Sequence, residues 1–264
     1  MDLQITNKTA FVSGSTAGIG FAIAHSLLQE GAKVIINGRS QKTIDAAVKK
    51  LQDLVPGANV SGIPADFSKA DEVQKLVDQL PEIDILVNNA GIFEPKAFAE
   101  IPDEDWFRFF EVNVMSGIRL ARAVFPSMLK KNWGRIIFIS SESAVFIPDE
   151  MIHYGMTKTA QLAIARGLAE LSKKSGVTVN SILPGPTRSE GVETFLTDLS
   201  KANNISVEEV EKDFFKNLRP TSLLQRFATV DEIAHTVTYY CSPLASATNG
   251  ASIRVEGGLV RSIL

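Results

Sequence analysis

The sequence has one cysteine, Cys241, among 264 residues. A single thiol cannot form an internal disulfide, and without cysteine companions it cannot build a structural zinc site. We interpret Cys241 as a small buried apolar residue, and we predict no metal site.

The sequence also lacks an excess of basic charge and any long apolar run. Lysine and arginine number 27 against 30 acidic residues, a net charge of −3, whereas nucleic-acid binding needs a basic face. No apolar stretch reaches membrane-spanning length, and residues 1–4 lack the basic start of a signal peptide. We therefore expect a cytoplasmic protein with neither a nucleic-acid nor a membrane partner.

Short β-branched runs alternate with longer helical patterns along the whole chain, which predicts βαβ units and a parallel sheet. No linker or internal repeat divides the sequence, so we predict one α/β domain over 1–264. Its doubly wound sheet would have seven strands, at about 9–12, 33–37, 58–63, 83–87, 135–139, 177–182 and 251–255.

Two of the predicted helices have unusual surfaces. The helix at about 103–131 is apolar nearly all round, and the helix at about 151–174 is rich in alanine and glycine. A helix with no polar face is either deeply buried or part of a subunit interface, so we expect a homo-oligomer.

A glycine-rich turn lies between the first predicted strand and the next helix. Glycines there would let the backbone approach a pyrophosphate, which the N–H groups of the helix N-terminus can bind. The candidate phosphate-binding residues are Gly14, Ser15, Thr16, Gly18, Ile19 and Gly20. A second candidate segment, Asn89, Ala90 and Gly91, closes the fourth predicted strand, although Asn and Gly are also common in plain turns.

Tyr154 and Lys158 are four residues apart on a predicted helix and so share one face. A nearby cation favours the phenolate and is expected to lower the tyrosine pKa, so that Tyr154 can exchange protons with a carbonyl or alcohol oxygen. Ser141 follows the fifth predicted strand, and Asn113 is an isolated amide in an apolar helix. Ser143 is a rival to Ser141, but its spacing from Tyr154 is less suitable.

Together these motifs resemble the short-chain dehydrogenase/reductase family, whose members have a Rossmann fold and an Asn-Ser-Tyr-Lys tetrad. The resemblance implies that Tyr154 is the general acid/base, that Lys158 tunes it and binds the nicotinamide ribose, and that Ser141 polarises the carbonyl. It also implies that Asn113 holds a proton-relaying water, and that many relatives are homotetramers. Further cofactor contacts implied by the family are Asp66, Pro184, Gly185 and Thr187.

The end of the second predicted strand bears on the choice of cofactor. Relatives selective for NAD(H) have an acidic residue there, whereas this sequence has Gly38 followed by Arg39. No carboxylate would repel a 2′-phosphate, and the Arg39 guanidinium could pair with one. The sequence therefore favours NADP(H) over NAD(H).

The segment at about 186–219 is longer than a connection needs, which predicts a mobile substrate lid. Its apolar residues Phe195, Leu196, Phe214 and Phe215 would form the inner face, so we expect a small carbonyl or alcohol substrate of partly apolar character. The opposite wall is predicted to contain Phe93, Phe146, Ile147 and His153, and we interpret His153 as a rim or surface residue.

Two other functions stay open at this point. A 3-oxoacyl-[acyl-carrier-protein] reductase would need a basic dock near the entrance, for which Lys130, Lys131, Lys173 and Lys174 are the candidates. A non-catalytic NADP(H)-binding sensor is less favoured, because such proteins usually lose the tyrosine or the lysine and both are present here.

Overall fold

The computed structural model describes residues 1–263, apart from the side chain of Phe195. Strands and helices alternate along this part of the chain. The strands are β1 Thr9–Val12, β2 Lys33–Gly38, β3 Val60–Pro64, β4 Ile85–Asn88, β5 Gly134–Ile139, β6 Val177–Pro184, β7 Thr187–Arg188, β8 Ala228–Thr229 and β9 Ser252–Val255. The α-helices are α1 Gly18–Gln29, α2 Gln41–Leu54, α3 Ala70–Gln79, α4 Asp103–Phe110, α5 Ser116–Lys130, α6 Ile152–Leu171, α7 Glu190–Asn203, α8 Val207–Asp213 and α9 Val230–Tyr240.

Seven strands form one parallel sheet in the order β3-β2-β1-β4-β5-β6-β9, which confirms the predicted Rossmann fold. Side chains along β1 alternate between two apolar clusters: Ala10 and Val12 belong to one and Phe11 to the other. The sheet is therefore buried on both faces, as near-continuous apolar strands require. Strand order reverses between β1 and β4, and ligands of such sheets bind at that point, beyond the carboxyl ends of the strands.

The predicted helix at 103–131 is not continuous. A π-helical turn, Glu111–Met115, separates α4 from α5 and places Asn113 at its centre. The wider turn interrupts the regular hydrogen bonding of the α-helix. Within it, the Ser116 hydroxyl donates to the Val112 carbonyl at 2.6 Å. Such bulges often mark functional sites, and periodicity alone does not reveal them.

The segment 186–219 folds into α7 and α8 above a small parallel sheet of β7 and β8. The expectation that its large apolar residues face the substrate is wrong for Leu196 and Phe215, which are buried in a separate apolar cluster with Val210 and Phe227. Phe214 packs against the rings of Phe215 and Phe227. Phe195 was predicted on the same inner face, but its side chain lies outside the described part of the structure. Two short helices need a core of their own, and these residues provide it.

Among residues 1–263, no helix is both long and apolar enough to cross a membrane. Within the same range, no group of three or more histidine, cysteine or carboxylate side chains is placed to hold a metal ion.

Candidate active site

The glycine-rich turn joins β1 to α1 in a conformation that needs glycine. Gly14 and Gly18 have φ angles of +59° and +58°, in the left-handed region. The Asn89 amide donates to the carbonyls of Ser13 and Gly14, at 3.0 and 2.9 Å. A Cβ atom at Gly20 would lie 2.5 Å from that same amide, so Gly20 makes room for it. The glycine-rich turn and the segment from Asn89 to Gly91, which were predicted separately from the sequence, are thus joined into one wall.

The N-terminus of α1 is open to an anion, because no side chain within the turn caps it. Its Gly18 N–H donates instead to the carboxylate of Glu190, at 2.7 Å. Unpaired N–H groups at a helix N-terminus bind negative groups, phosphate among them. In this conformation Glu190, the first residue of α7, occupies one of these N–H groups.

A cleft of about 480 Å³ lies beyond the carboxyl ends of β1, β2, β3 and β4. Among the residues that line it are seven predicted cofactor contacts: Gly14, Thr16, Arg39, Asp66, Asn89, Ala90 and Gly91. Hydrogen bonds from the N–H and hydroxyl of Ser68 hold the pKa of Asp66 below its ordinary value, so Asp66 is a carboxylate at neutral pH. The structure therefore brings most of the predicted nucleotide-side residues together.

Other predicted cofactor residues lie off this cleft. Ser15 is fully buried, and its hydroxyl donates to the Val12 carbonyl at 2.6 Å, so its side chain holds the turn together. Ile19 is half-buried within α1. Pro184 ends β6, and the Thr187 hydroxyl donates to the Gly185 carbonyl at 2.8 Å. These last three residues lie at the base of the segment 186–219.

At the end of β2, Arg39 is exposed and forms no ion pair with any residue in 1–263. Gly38 precedes it, and a Cβ atom there would approach Thr16 to 2.6 Å. An acidic side chain at position 38 would therefore require Thr16 to shift, whereas the Arg39 guanidinium has no ion-pair partner and can bind an anion. Asn37 was missed from the sequence, yet it lines the cleft and accepts the Gly14 N–H at 3.0 Å.

Tyr154, Lys158 and Ser141 meet where α6 passes the carboxyl end of β5. The Lys158 ammonium donates to the Ile139 carbonyl at 2.9 Å and lies 5.5 Å from the centre of the Tyr154 ring. The nearby Ser141 hydroxyl favours the Tyr154 phenolate, although burial outweighs its effect on the tyrosine pKa. A phenol, a hydroxyl and an ammonium thus converge, which is an arrangement suited to moving a proton at a carbonyl oxygen.

Asn113 connects this group to the cleft. Its amide donates to the Thr157 hydroxyl and to the Ile92 carbonyl, both at 3.0 Å, and its side-chain oxygen accepts the Ile92 N–H at 2.7 Å. A Cβ atom at Gly91 would lie 3.5 Å from the Lys158 nitrogen and 3.4 Å from the Asn113 oxygen. Gly91 therefore belongs both to the nucleotide cleft and to the surroundings of the tetrad.

Comparison with known proteins now decides the family. Residues 8–199 match the family described as short chain dehydrogenase. This chain belongs to the short-chain dehydrogenase family. It is therefore an oxidoreductase that acts on CH–OH or C=O groups with a nicotinamide cofactor.

Individual relatives of this short-chain dehydrogenase span its full length. It is 50% identical to the uncharacterized oxidoreductase YvaG of Bacillus subtilis over 263 residues, which is 100% of both chains. It is 31% identical to the 3-oxoacyl-[acyl-carrier-protein] reductase FabG of Aquifex aeolicus, over 98% of this chain and 100% of that one. The solved L-sorbose reductase of Gluconobacter frateurii, complexed with NADPH and L-sorbose, matches with a TM-score of 0.93 and 29% identity over 100% of both chains.

In this short-chain dehydrogenase, burial is the largest cause of the pKa shifts of the predicted tetrad residues Tyr154 and Lys158. Burial lowers the pKa of Lys158 to about 8. Burial first, and then the nearby Glu142 carboxyl, raises the pKa of Tyr154 above its ordinary value. The expectation that Lys158 lowers the tyrosine pKa is therefore wrong for the protein alone: desolvation of the phenolate outweighs the cation. Tyr154 is a phenol at neutral pH and can donate a proton.

His153 is not a rim residue, so that interpretation was wrong. Its side chain is fully buried, with the ring 4.1 Å from that of Phe109 and 5.9 Å from that of Trp106, centre to centre. Neither ring nitrogen has a hydrogen-bond partner in the described residues, and burial lowers the His153 pKa. The bulky side chains of α4 cover this face of α6.

The other predicted wall residues lie nearer the entrance. Phe93 is exposed and meets the Tyr154 ring edge to face, with 6.4 Å between centres. Phe146 and Ile147 are also about half exposed. Sequence reasoning missed two charged residues of the interior, Glu142 and Arg219, whose side chains are both buried. Only the position of Glu142 directly after Ser141 could have drawn attention to it.

Proposed function

We propose that this protein transfers a hydride between NADP(H) and the carbonyl or alcohol carbon of a small molecule of partly apolar character. The observation that carries the proposal is a continuous path from Arg39, through the cleft to Gly91, and on to Lys158 and Tyr154. A dinucleotide binds across such a path in related sheets.

The cleft suits NADP(H) in shape and in charge. The α1 N-terminus offers N–H groups to a pyrophosphate, and Arg39 offers a fork of donors to a 2′-phosphate. Gly14 and Gly91 leave the walls without side chains where a nucleotide would lie. When bound, NADP(H) would supply the hydride.

The residues of the tetrad would then manage the proton. Tyr154, as a phenol, would give its proton to the substrate oxygen as the carbonyl is reduced. Ser141 would polarise that oxygen with its hydroxyl, and Lys158 would stabilise the phenolate that forms. Asn113 would hold a water that returns a proton through Lys158.

The surroundings of Tyr154 support a substrate of mixed character. Phe93, Phe146 and Ile147 supply apolar surface at the entrance, whereas Glu142 and Arg219 supply polar groups inside. A short carbonyl compound with an apolar side and one further polar group would satisfy both.

We also propose that the segment 186–219 is a mobile lid. Its own apolar cluster lets it move as a unit, and β7 with β8 forms its base. The contact between Glu190 and the Gly18 N–H ties this unit to the phosphate turn. An incoming phosphate would compete for that N–H, so cofactor binding would release the tie.

A 3-oxoacyl carrier-protein reductase is less well supported. Lys130 and Lys131 lie at the end of α5, just before β5, and Lys173 and Lys174 follow α6, just before β6. All four residues therefore precede the amino ends of the strands, at the edge opposite the cleft. Lys131 is also engaged by Asp84 at 2.7 Å. The predicted dock near the entrance was therefore misplaced.

The exposed aromatic residues of α4 support a homotetramer. Phe107 is 73% exposed and Phe98, just before the helix, is 64% exposed. Such side chains are commonly covered by a partner subunit. Light scattering at micromolar concentration should give the mass of a tetramer, and a monomer would refute the proposal.

The proposed reaction can be tested with purified protein. Oxidation of NADPH should depend on an added ketone or aldehyde and should be much slower with NADH. Calorimetric titration in the absence of substrate should show tighter binding of NADPH than of NADH. Equal affinity and equal efficiency with both cofactors would contradict the cofactor assignment, and no turnover with any carbonyl compound would contradict the reaction.

A further inference from the structure

A carboxyl group that the proposed reaction does not use lies beside the tetrad. Glu142 follows Ser141 in the chain and is only 6% exposed. The Ser141 hydroxyl donates to one Glu142 carboxyl oxygen at 2.5 Å. Within residues 1–263, the Glu142 carboxyl has one ion-pair partner, Arg219, whose Nε lies 3.9 Å from the second oxygen.

Charged and titratable groups approach Glu142 from two segments, the residue after the π-helical turn Phe214–Leu218 and helix α6. Arg219 follows the π-helical turn Phe214–Leu218, but it is shared, because its Nη2 lies 2.9 Å from the Glu150 carboxylate. Tyr154 and Lys158 face it from α6. Burial raises the pKa of Glu142, and this outweighs the opposing effects of Ser141 and Arg219. Glu142 therefore changes its charge at a higher pH than an exposed glutamate does.

The hydrogen bonds of Ser141 make that charge important. A serine hydroxyl has one proton to donate and two lone pairs to accept with. Here it accepts the Ser143 N–H at 3.1 Å and gives its proton to Glu142. In this state Ser141 has no proton for a substrate oxygen, although the proposed reaction requires one.

We propose that Glu142 is a positioning residue that decides where Ser141 directs its single proton. As a carboxylic acid, Glu142 donates to the Ser141 oxygen, and the serine proton turns to the substrate carbonyl. As a carboxylate, Glu142 takes the serine proton for itself, and the carbonyl loses its polarising donor. This inference rests on the proposed carbonyl reduction, in which Ser141 is that donor.

A pH dependence follows from this exchange. At low pH the acid form of Glu142 leaves Ser141 active, and kcat/KM for reduction is at its plateau. Above the Glu142 pKa, the acid fraction falls about tenfold per pH unit, and kcat/KM falls with it. The carboxylate also faces the Tyr154 oxygen and opposes the phenolate that forms there, so both effects act in the same direction.

The test compares Glu142→Gln with Glu150→Gln. The amide of Glu142→Gln donates to Ser141 at every pH, so this variant should keep carbonyl reduction but lose the alkaline fall assigned to Glu142. Glu150→Gln is the matched control, since Glu150 binds the same arginine but does not reach Ser141. It should keep the fall, moved to lower pH because Arg219 is then free to stabilise the Glu142 carboxylate.

Two further measurements keep the inference testable if Glu142→Gln folds poorly. Ser141→Ala should lose most of the fall, because Glu142 then has no hydroxyl to act through and keeps only its direct effect on Tyr154. In the cofactor-free protein, infrared difference spectra should show a carboxylic-acid C=O band that is absent from Glu142→Gln, and its titration should coincide with the fall in kcat/KM. An ionised Glu142 throughout the range, a fall that persists in Glu142→Gln, or a fall that is undiminished in Ser141→Ala would overturn the inference. No carbonyl reduction by the wild type at any pH would instead contradict the proposed function.

Discussion

The two ends of the active-site cleft are built from different kinds of groups. At the proposed nucleotide end, the backbone of the glycine-rich turn and the exposed guanidinium of Arg39 line the cleft. At the proposed catalytic end, Lys158 and Glu142 are buried beside the half-buried Tyr154, and burial is the largest cause of each pKa shift there.

This difference separates binding from chemistry. Backbone donors and an arginine keep the same charge at any physiological pH, so they suit a cofactor that must bind under all conditions. Buried acids and bases respond to small changes in their surroundings, which suits proton transfer. Substitutions at the nucleotide end should therefore change affinity, and substitutions at the catalytic end should change turnover or pH dependence.

The largest effect is expected from Tyr154→Phe. This variant removes the proton donor but keeps the ring that packs against Phe93. We expect kcat to fall about 10²- to 10⁴-fold, the range typical of a general acid, while the NADPH dissociation constant stays within about twofold. Steady-state kinetics and calorimetric titration would check both. A variant that keeps most of its kcat would rule out Tyr154 as the acid.

A smaller effect, at the other end, is expected from Arg39→Ala. Loss of one charge-assisted phosphate contact should weaken NADPH binding by about 1.5–3 kcal/mol, roughly 10- to 150-fold, and leave NADH binding almost unchanged. Lys33→Ala is a suitable control, because Lys33 is exposed at the opposite end of β2. If both cofactors weakened equally, Arg39 would not be a phosphate contact.

His153 extends the comparison from activity to stability. Because burial lowers its pKa in the folded protein, the unfolded chain binds a proton more readily, and stability is lost as pH falls below about 6.5. His153→Leu should raise the free energy of unfolding by about 1 kcal/mol at neutral pH, since two unpartnered nitrogens are removed.

The free energy of unfolding of His153→Leu should exceed that of the wild type by more at pH 5.5 than at pH 7.5. Urea unfolding at the two pH values would measure this difference. His235→Leu, on an exposed part of α9, serves as the control and should give no such widening. A constant difference at both pH values would mean that His153 binds a proton as readily in the folded protein as in the unfolded chain.

The smallest effect is expected from Glu190→Gln, which loosens the lid. Its carboxylate competes with phosphate for the Gly18 N–H, and an exposed contact of this kind is worth about 0.3–1 kcal/mol. NADPH should therefore bind about two- to fivefold more tightly to the variant. Glu193 lies in the same helix but pairs with Arg188, so Glu193→Gln should leave the NADPH affinity unchanged. Weaker binding to Glu190→Gln would show that the contact supports the cofactor site.

Local patterns were sufficient to predict the framework from sequence. The β-branched runs gave strands within two residues of the observed starts, and the i, i+4 spacing placed Lys158 beside Tyr154. The π-helical turn around Asn113 was missed because it continues the helical pattern on both sides. Each of these predictions, right or wrong, concerns the conformation within one strand or one helix.

Contacts between distant segments could not be read in the same way. The approach of Arg219 to Glu142 joins residues far apart in sequence, and no spacing rule indicates it. The cluster that buries Leu196 and Phe215 depends on how α7 meets α8, and the burial of His153 depends on α4. Each of these is a tertiary contact that overrides a reasonable local interpretation.

The separation of binding from chemistry can be tested with one double-mutant cycle. The NADPH dissociation constant and the kcat at saturating NADPH would be measured for wild type, Tyr154→Phe, Arg39→Ala and the double variant. We expect the double variant to combine the affinity of Arg39→Ala with the kcat of Tyr154→Phe, because the two sites act independently. Loss of kcat in Arg39→Ala at saturation, or an affinity loss in Tyr154→Phe equal to that of Arg39→Ala, would contradict the account.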